Sequence, residues 1–399
     1  MRFADYDITP SPLPNDGLMF ADLVAKGRSG HLGHALVEYA PGCVLAFYSN
    51  CSGVRNDGHN GFGWMEYRRS LDAGQTWDNP RPLPFSVDTF LDGLYTVSCE
   101  KAACAPDGTI VLFATMNDSR GKYWGPWVEP RWLVSRNGGD SFAVAGQFPF
   151  KGRIFDCACR GGMIYALEFC NDGINGDEGC LPEHVYRLYR SADCGRSFEE
   201  VSVLPFDTHE KVYGTMDFAP DGALIVYIYD KLDEGHPPYT ISRDGGKTWC
   251  APRRAALEKR IRNPQLRFYD GWFLMYGRSG HYTPPQNFVL YTSPDGENWD
   301  EGTYICERKA GNCFYSNSVI VHTPQGGTRL LMGYYTAERP VDHAALRAYM
   351  AACLPYYMIP IGLVRVESLP HTATGKLARG RIAPPPEMND RALLAEKYY

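Results

Sequence analysis

Several features that would place this chain in a particular class of protein are missing from it. No apolar stretch is long enough to cross a membrane, and the N-terminal sequence Met1-Arg-Phe-Ala-Asp-Tyr-Asp-Ile lacks the apolar core of a secretory signal. No basic block occurs, and 46 Asp and Glu outnumber 40 Lys and Arg, for a net charge of −6. We therefore expect neither a nucleic-acid partner nor a membrane partner, because nothing in the chain would neutralise a phosphate-rich surface.

The 13 cysteines do not form a metal-binding or redox pattern. Cys157-Ala-Cys159 is one residue short of a CxxC motif and has no second pair, so we interpret it as two structural thiols on one strand. His31 and His34 have no clear third ligand, which favours a structural role over the alternative of a metal site. The odd cysteine count without a signal sequence predicts reduced thiols and a cytoplasmic location. No metal and no cofactor are predicted.

The sequence is rich in one short repeated phrase. In each copy a Ser is followed two residues later by Asp or Asn, then by glycine, and the phrase ends on Trp or Phe. The polar side chains can bond the backbone of a turn, and the glycine supplies a positive φ, so each copy predicts a hairpin. The five copies lie at 70–77, 135–142, 191–198, 242–249 and 293–299.

The spacing of the copies, roughly 50 to 65 residues, is near that of propeller blades. Between copies, two apolar runs joined by a tight turn predict paired strands, as at 96–113 and 212–227. A sixth unit at 314–335 has this hairpin but no copy of the phrase, and we expect residues 18–24 to supply its closing strand. Residues 1–335 are therefore predicted to form one all-β, six-bladed β-propeller.

The repeated phrases resemble the Asp-box, or BNR, repeat, and the blade pattern resembles the sialidase (neuraminidase) superfamily of six-bladed propellers. The resemblance covers about five sixths of the chain. In that family the boxes lie on outer hairpins, away from the central funnel where ligands bind. The resemblance therefore implies the fold more strongly than the activity.

The sialidase resemblance also implies candidate site residues. Sialidases bind a substrate carboxylate with three arginines, use a tyrosine nucleophile assisted by a glutamate, and carry an aspartate acid/base. Tyr315 matches the nucleophile, Asp57 lies in the loop expected to hold the acid/base, and Arg262 matches one arginine. The other two arginine positions fall at 32–34 and 229–231, which contain none. Without that clamp we expect a non-sialic substrate.

Counting back from the first turn of each unit places six residues at similar depth in the funnel, namely His34, Glu100, Asp156, Tyr213, Asn263 and Tyr315. Glu100 and Tyr315 would serve as base and nucleophile, and Asp57 or Asp156 as acid, in a retaining two-step hydrolysis. The predicted substrate-binding residues are Arg262, His34, Asn263, Tyr213 and Asn317. The alternative is that these groups only bond neighbouring strands and channel water.

Residues 336–399 have a different pattern, with a predicted helix at 341–354. The motifs Leu-Pro-x-Tyr-Met-x-Pro at 354–360 and Pro-x-Thr-x-x-Gly-Lys at 370–376 resemble the C-terminal lid of nonribosomal peptide synthetase adenylation domains. In that family the lysine at the position of Lys376 contacts substrate carboxylate and ATP phosphate. No phosphate loop of an adenylation core occurs upstream, so a relic or docking role is expected for Lys376.

Two classes of function follow from these patterns. The first is an enzyme, a hydrolase or tailoring enzyme acting on a non-sialic small molecule in a nonribosomal-peptide or other specialised-metabolite pathway such as antibiotic biosynthesis. The second is a catalytically silent propeller that binds a metabolite or docks on an assembly-line protein through 336–399.

Overall fold

The computed structural model describes residues 28–30, 33–53, 60–93, 95–120, 125–173, 181–279, 286–308 and 313–336. Within these ranges the chain forms 23 strands and one helix, arranged in six antiparallel sheets. The predicted all-β propeller architecture is confirmed. The predicted C-terminal segment lies, from residue 337 onward, outside the described residues, and its boundary with the propeller stays a prediction.

The strands follow the chain from sheet to sheet. The first sheet contains β1 (Arg28–Ser29), β2 (His34–Ala40), β3 (Cys43–Ser52), β4 (Gly63–Ser70) and β5 (Arg81–Pro82). The helix α1 (Pro84–Gly93) leads to the second sheet, with β6 (Tyr95–Cys104), β7 (Ile110–Asp118), β8 (Arg131–Ser135) and β9 (Ala143–Gln147). The third has β10 (Gly152–Arg160), β11 (Met163–Cys170), β12 (Tyr186–Ser191) and β13 (Glu199–Val203).

The remaining sheets repeat this order. The fourth has β14 (Lys211–Phe218), β15 (Leu224–Asp230), β16 (Pro238–Ser242) and β17 (Arg253–Arg254). The fifth has β18 (Arg262–Tyr269), β19 (Trp272–Ser279), β20 (Gln286–Ser293) and β21 (Thr303–Arg308). The sixth consists of β22 (Cys313–His322) and β23 (Thr328–Thr336). The strands β2, β6, β10, β14, β18 and β22, called the inner strands below, contact one another in this order, and β22 contacts β2.

Burial falls from the middle of each sheet to its outer edge. All seven residues of β15 are buried, whereas β9 is mostly exposed. A strand covered on both faces by neighbouring sheets reads as a continuous apolar run, which is why β7 reads IVLFATMND. The core therefore lies between the sheets, in apolar clusters that each join residues of two adjacent sheets.

The repeated phrase forms the predicted hairpin, joining the last two strands of each of the first five sheets. In the first copy, Ser70 Oγ donates to Asp72 Oδ1 at 2.7 Å and accepts from Gly74 N at 2.8 Å. The same carboxylate accepts from Thr76 N at 2.8 Å. Gly74 has φ +85°, which is the left-handed conformation that the phrase reserves for glycine.

These hairpins also join each sheet to the one before it. A Cβ at Gly139 would lie 2.4 Å from Leu45 Cδ1 of the preceding sheet, so only glycine allows this close approach. The equivalent pairs are Gly195 with Val111, Gly246 with Leu188, Gly296 with Ile225, and Gly74 with Leu331 of β23. The hairpin of the first sheet thus packs on β23 as the later hairpins pack on the sheets before them.

The six-blade prediction is not confirmed. Five sheets have four or five strands, whereas the sixth shows two strands in the described residues. Residues 18–24, the predicted donor of a closing strand, lie outside the described part of the chain. The nearest described residues, Arg28 and Ser29, pair with β3 of the first sheet instead.

The cysteines of the described residues agree with the thiol interpretation. Nine of them are free thiols, and Cys157 and Cys159 lie on β10 as alternate residues. His31 lies outside the described residues, and among the residues that are described no group of three His, Cys, Asp or Glu is placed to bind a metal ion. The one described helix, α1, has ten residues and cannot span a membrane.

Candidate functional site

Five inner strands share an irregularity near their first residues. The pairing of each with its second strand shifts register, at Ser98/Lys101, Ile154/Asp156, Val212/Thr215, Arg262/Gln265 and Cys313/Ser316. A register shift of this kind releases one or two residues from the ladder and redirects their side chains. Predicted site residues Glu100, Tyr213, Asn263 and Tyr315 all lie inside these shifts, and Asp156 follows one directly.

Residues at and just after the register shifts form a polar network that links the inner strands to one another. Lys101 Nζ contacts Asp156 Oδ1 at 3.2 Å and donates to Asn317 Oδ1 at 2.9 Å. Arg267 binds both oxygens of the Asp156 carboxylate, at 3.1 and 3.2 Å. We call this set the floor network, and its members are Lys101, Asp156, Thr215, Gln265, Arg267 and Asn317.

Asp156 is the centre of the floor network and is fully buried. Besides the two cations, it accepts from Thr215 Oγ1 at 2.6 Å and from Met216 N at 2.9 Å. Burial alone would raise its pKa, but Arg267 and Lys101 outweigh burial and lower the pKa of Asp156 to about 2. Such a carboxylate is ionised and has its lone pairs engaged, so this environment does not suit the general acid that the sequence suggested for it.

Asn317 is likewise engaged with the protein rather than open to a ligand. Its Oδ1 accepts from Lys101 Nζ and from Ser318 N, the latter at 2.9 Å. Its Nδ2 donates to the main-chain oxygen of His34 at 2.8 Å and to that of Glu100. All four hydrogen-bonding positions of the amide are used, and the side chain ties β22 to β2 and β6. Substrate binding by this side chain, as predicted, would need one of these bonds to break.

Glu100, which directly precedes Lys101 of the floor network, is in an ion pair with Arg153. The side chains are 13% and 9% exposed. The Arg153 guanidinium also lies over the rings of Phe155, Trp127 and Tyr213, with centroid distances of 4.9, 5.6 and 5.5 Å. Aromatic faces stabilise a partly desolvated guanidinium, so this arrangement fixes the cation that neutralises Glu100.

Arg262 forms a second buried charge cluster. Its Nε donates to Tyr229 Oη at 3.0 Å and lies 3.3 Å from Glu234 Oε1. The Tyr229 hydroxyl in turn donates to the same Glu234 oxygen at 2.7 Å. Arg278, 7% exposed, is the register partner of Arg262 on β19.

The other predicted binding residues differ in how well they are satisfied. His34 Nε2 lies 3.2 Å from Gly30 O, and burial lowers the pKa of this imidazole to about 4, so the ring is neutral at pH 7. Tyr213 and Asn263 have positive φ, +55° and +51°. The Asn263 amide is 4% exposed, and neither its Oδ1 nor its Nδ2 has a hydrogen-bond partner.

Two of the predicted catalytic groups cannot be placed in full. Asp57 lies outside the described residues, and so does Lys376, for which a relic or docking role is expected. The backbone of Tyr315 belongs to β22, while its side chain is not described. The structure therefore brings Glu100, Tyr213, Asn263 and the Tyr315 backbone to one end of the inner strands.

Sequence reasoning missed four basic residues at this centre: Lys101, Arg153, Arg267 and Arg278. Their signal was present, because charged residues in strands that otherwise read as buried are rare unless paired. Lys101 directly follows Glu100, and Arg153 and Arg267 flank apolar strand residues. None of the four lies at a position that the sialidase resemblance implies.

The comparisons with solved structures agree with the propeller fold. NanB sialidase from Streptococcus pneumoniae aligns with a TM-score of 0.55 and 11% identity, over 76% of this chain and 65% of that one. A Hadza microbial sialidase gives 0.52 and 15%, over 73% and 61%. A protein of unknown function from Dyadobacter fermentans gives 0.52 and 14%, over 77% and 94%. At these identities the likeness establishes a sialidase-like propeller fold alone.

A second likeness covers a short stretch of sequence. The chain is 40% identical over 78 residues to a dimodular nonribosomal peptide synthase of Bacillus subtilis, and 42% identical over 74 residues to an isonitrile lipopeptide synthase of Mycobacterium tuberculosis. The matches cover 19% and 18% of this chain but 3% of each synthase. No family model matches the chain.

Proposed function

We propose that the protein is an enzyme that binds a non-sialic small molecule at the start of the inner strands, with Tyr315 as nucleophile and Glu100 as its base. The observation that carries this proposal is a hydrogen bond of Asn317, which lies two residues after Tyr315. The amide of Asn317 donates to the main-chain oxygen of Glu100. This bond draws the beginnings of β22 and β6 together across β2. It supports a Tyr315 and Glu100 pair at one place in the funnel.

The proposed chemistry is a two-step hydrolysis. Glu100 accepts the phenolic proton of Tyr315 as the phenolate oxygen attacks the substrate carbon and the leaving group departs with a proton from Asp57. The Asp57 carboxylate then takes a proton from a water as that water's oxygen attacks the substrate carbon of the tyrosyl intermediate, and Glu100 returns its proton to the departing Tyr315 oxygen. A phenol has a pKa of about 10, so it needs such a base to act at neutral pH.

The charges of the described residues support a substrate other than a sialic acid. The Arg262 charge is already balanced by Glu234 at 3.3 Å. Asp230, where a sialidase arginine would be expected, is buried and pairs with Arg254 at 2.8 Å. At these two positions a carboxylate would therefore meet an arginine that already has a counter-ion and an aspartate, which favours a substrate other than a sialic acid.

A second candidate function, a silent binding module, is favoured by one specific observation. Glu100 is held by Arg153, and Asp156 is fully engaged in the floor network. To take the proton of Tyr315, a Glu100 oxygen would have to give up its contact with the Arg153 guanidinium, which favours binding without turnover. In this version the same funnel holds the ligand and no covalent step occurs.

We also propose that β22 and β23 are the inner half of a sixth blade. Asn317 bonds β2 on one side, and Tyr269 Oη donates to Thr328 O at 2.8 Å on the other. The Gly74 hairpin packs on Leu331 as the other hairpins pack on their preceding sheets. These contacts give the two-stranded sheet the neighbours that a blade would have.

The synthase-like sequence is proposed to lie mainly in 336–399, where the two adenylation-lid motifs occur. The propeller would then act on, or bind, a product of a nonribosomal-peptide or related pathway, and the segment would dock on an assembly-line protein. Lys376 is proposed as a docking contact, and its replacement by Ala in the full chain would test this by weakening capture of such a protein.

Turnover assays test the enzymatic proposal. The full chain is incubated with a panel of aryl glycosides and with metabolites of the organism that makes it. We expect turnover that is lost in Tyr315→Phe and reduced at least 100-fold in Glu100→Gln, whereas Tyr269→Phe, which removes an exposed hydroxyl, retains it. Turnover that survives Tyr315→Phe would refute the nucleophile, and binding without any turnover would favour the silent module.

A further inference from the structure

We infer that Asn263 recognises a ligand edge that carries a hydrogen-bond donor and an acceptor side by side, as in a lactam or a primary carboxamide. The inference rests on the proposed function only in placing the ligand at the start of the inner strands. It applies to the enzyme and to the binding module alike.

The side-chain amide of Asn263 is buried and unsatisfied. Asn263 is 4% exposed, and both polar atoms of its side chain lack a partner. In native proteins buried polar side-chain atoms are nearly always paired, because an unpaired one costs about 1 to 3 kcal/mol. An amide that leaves both a donor and an acceptor open is poised for an external partner.

The backbone of Asn263 has an unfavourable conformation. Asn263 has φ +51° and directly precedes Pro264. Asparagine tolerates the left-handed region better than most residues, but a following proline favours extended conformations. Unfavourable backbone geometry that persists in a folded protein is found preferentially at functional sites. Asn263 therefore carries two independent free-energy costs, an unpaired side-chain amide and an unfavourable backbone conformation.

The amide side chains near Asn263 have hydrogen-bond partners, in contrast to Asn263 itself. Two residues later, Gln265 Oε1 accepts from Lys101 Nζ, and its Nε2 donates to Pro264 O at 3.0 Å. On β22, which contacts β18, Asn317 uses all its hydrogen-bonding positions, yet the buried Ser316 Oγ has no partner. Partners are thus supplied throughout the floor network, while Asn263 and Ser316 at the register shifts remain open.

The chemistry of an asparagine amide defines the ligand class. Its oxygen and its N–H lie side by side in one plane, so it forms two parallel hydrogen bonds with an edge of the same kind, as it does with adenine in DNA. Lactams and primary carboxamides present that edge. A trans peptide bond has its N–H and C=O on opposite sides, and an ester or an N-methyl lactam lacks the donor. The neighbouring Arg262 already has a counter-ion in Glu234, at 3.3 Å, so a neutral ligand edge does not leave it without one.

A binding experiment with the full chain tests the inference. The probes are cyclic dipeptides, which carry lactam edges, their N,N′-dimethyl forms and the panel of aryl glycosides, with dissociation constants measured by calorimetry. We expect the unmethylated cyclic dipeptides to bind at least 10-fold more tightly than the dimethyl forms, since a polar site left unpaired discriminates strongly. Asn263→Gly should lose this preference, whereas Asn298→Gly on an outer hairpin should keep it.

Thermal unfolding without ligand provides a second readout. Asn263→Gly removes the unpaired amide and relieves the positive φ, so its Tm should rise by a few degrees above that of the wild type. Equal affinity for methylated and unmethylated lactams, or unchanged binding in Asn263→Gly, would refute the inference. If glycosides bind and lactams do not, the inference fails and the proposed function stands. If no probe or metabolite binds, both fail.

Discussion

Replacement of Asp156 by Asn tests whether the floor network holds the inner strands together. The change keeps the shape of the side chain but leaves the buried Lys101 and the 13% exposed Arg267 without their shared counter-ion at 3.2 and 3.1 Å. Removing one partner of a buried ion pair typically costs about 3 to 5 kcal/mol. That is a large part of the roughly 5 to 15 kcal/mol by which most proteins are stable.

The pH dependence of the same residue gives an independent check. The pKa of Asp156 is lowered to about 2 in the folded protein, below its usual value near 3.8. The ionised carboxylate therefore stabilises the fold above about pH 4, and this contribution is lost as the pH falls towards 2. It amounts to about 2 to 3 kcal/mol. In Asp156→Asn the decline in stability between pH 5 and pH 2 should be correspondingly shallower.

Asp193→Asn is the matched control. The Asp193 carboxylate accepts from Ser197 N at 2.9 Å and from Ser197 Oγ at 2.6 Å within its own hairpin, and an asparagine can keep such a turn. Asn137 occupies the equivalent position in another hairpin, where its Oδ1 accepts from Ser141 N at 3.1 Å. Urea unfolding followed by tryptophan fluorescence should show a loss below about 1 kcal/mol for Asp193→Asn. A loss in Asp156→Asn no larger than this would refute the argument.

Two further predictions concern packing and buried charge. In urea unfolding, Gly139→Ala should destabilise the protein by about 1 to 3 kcal/mol more than Gly108→Ala. Both glycines have φ above +80°, but a Cβ at Gly139 would lie 2.4 Å from Leu45, whereas a Cβ at Gly108 would lie in open space. Equal losses of stability in the two variants would contradict the packing argument. Burial raises the pKa of Glu168 to about 8. Between pH 4.5 and pH 8 the unfolded chain releases a proton that the folded protein retains, so the free energy of unfolding of the wild type should fall by up to about 4 kcal/mol over this range. Glu168→Gln should lack this loss in urea titrations at both pH values, and parallel curves would show that Glu168 is not protonated.

The repeated phrase made the fold predictable because its signal is local. Within each copy, as at 70–77, a Ser, an Asp and a glycine bond and bend their own turn, so the hairpin can be recognised without knowledge of any distant contact. The spacing of the copies then predicts blades. The closing of the sixth sheet depends on pairing between distant segments, and sequence spacing does not determine which segment supplies an outer strand.

The site was less predictable because its partners come from distant sheets. Counting along the chain brought Glu100, Asp156 and Asn263 to similar depth. It did not reveal that Asp156 is enclosed by Lys101 and Arg267, which follow other register shifts 55 and 111 residues away. Whether a buried polar residue is satisfied or open depends on such contacts, and this distinguishes Asp156 from Asn263.

Hydrogen–deuterium exchange tests the location of the ligand site most directly. The full chain is compared with and without the small-molecule extract of the organism that makes it. Ligand binding should slow exchange in the peptides that span the register shifts, at 95–101, 152–156, 211–216, 261–265 and 313–317, and leave the five repeated hairpins unchanged. Protection confined to the hairpins or the outer strands would contradict a site at the start of the inner strands.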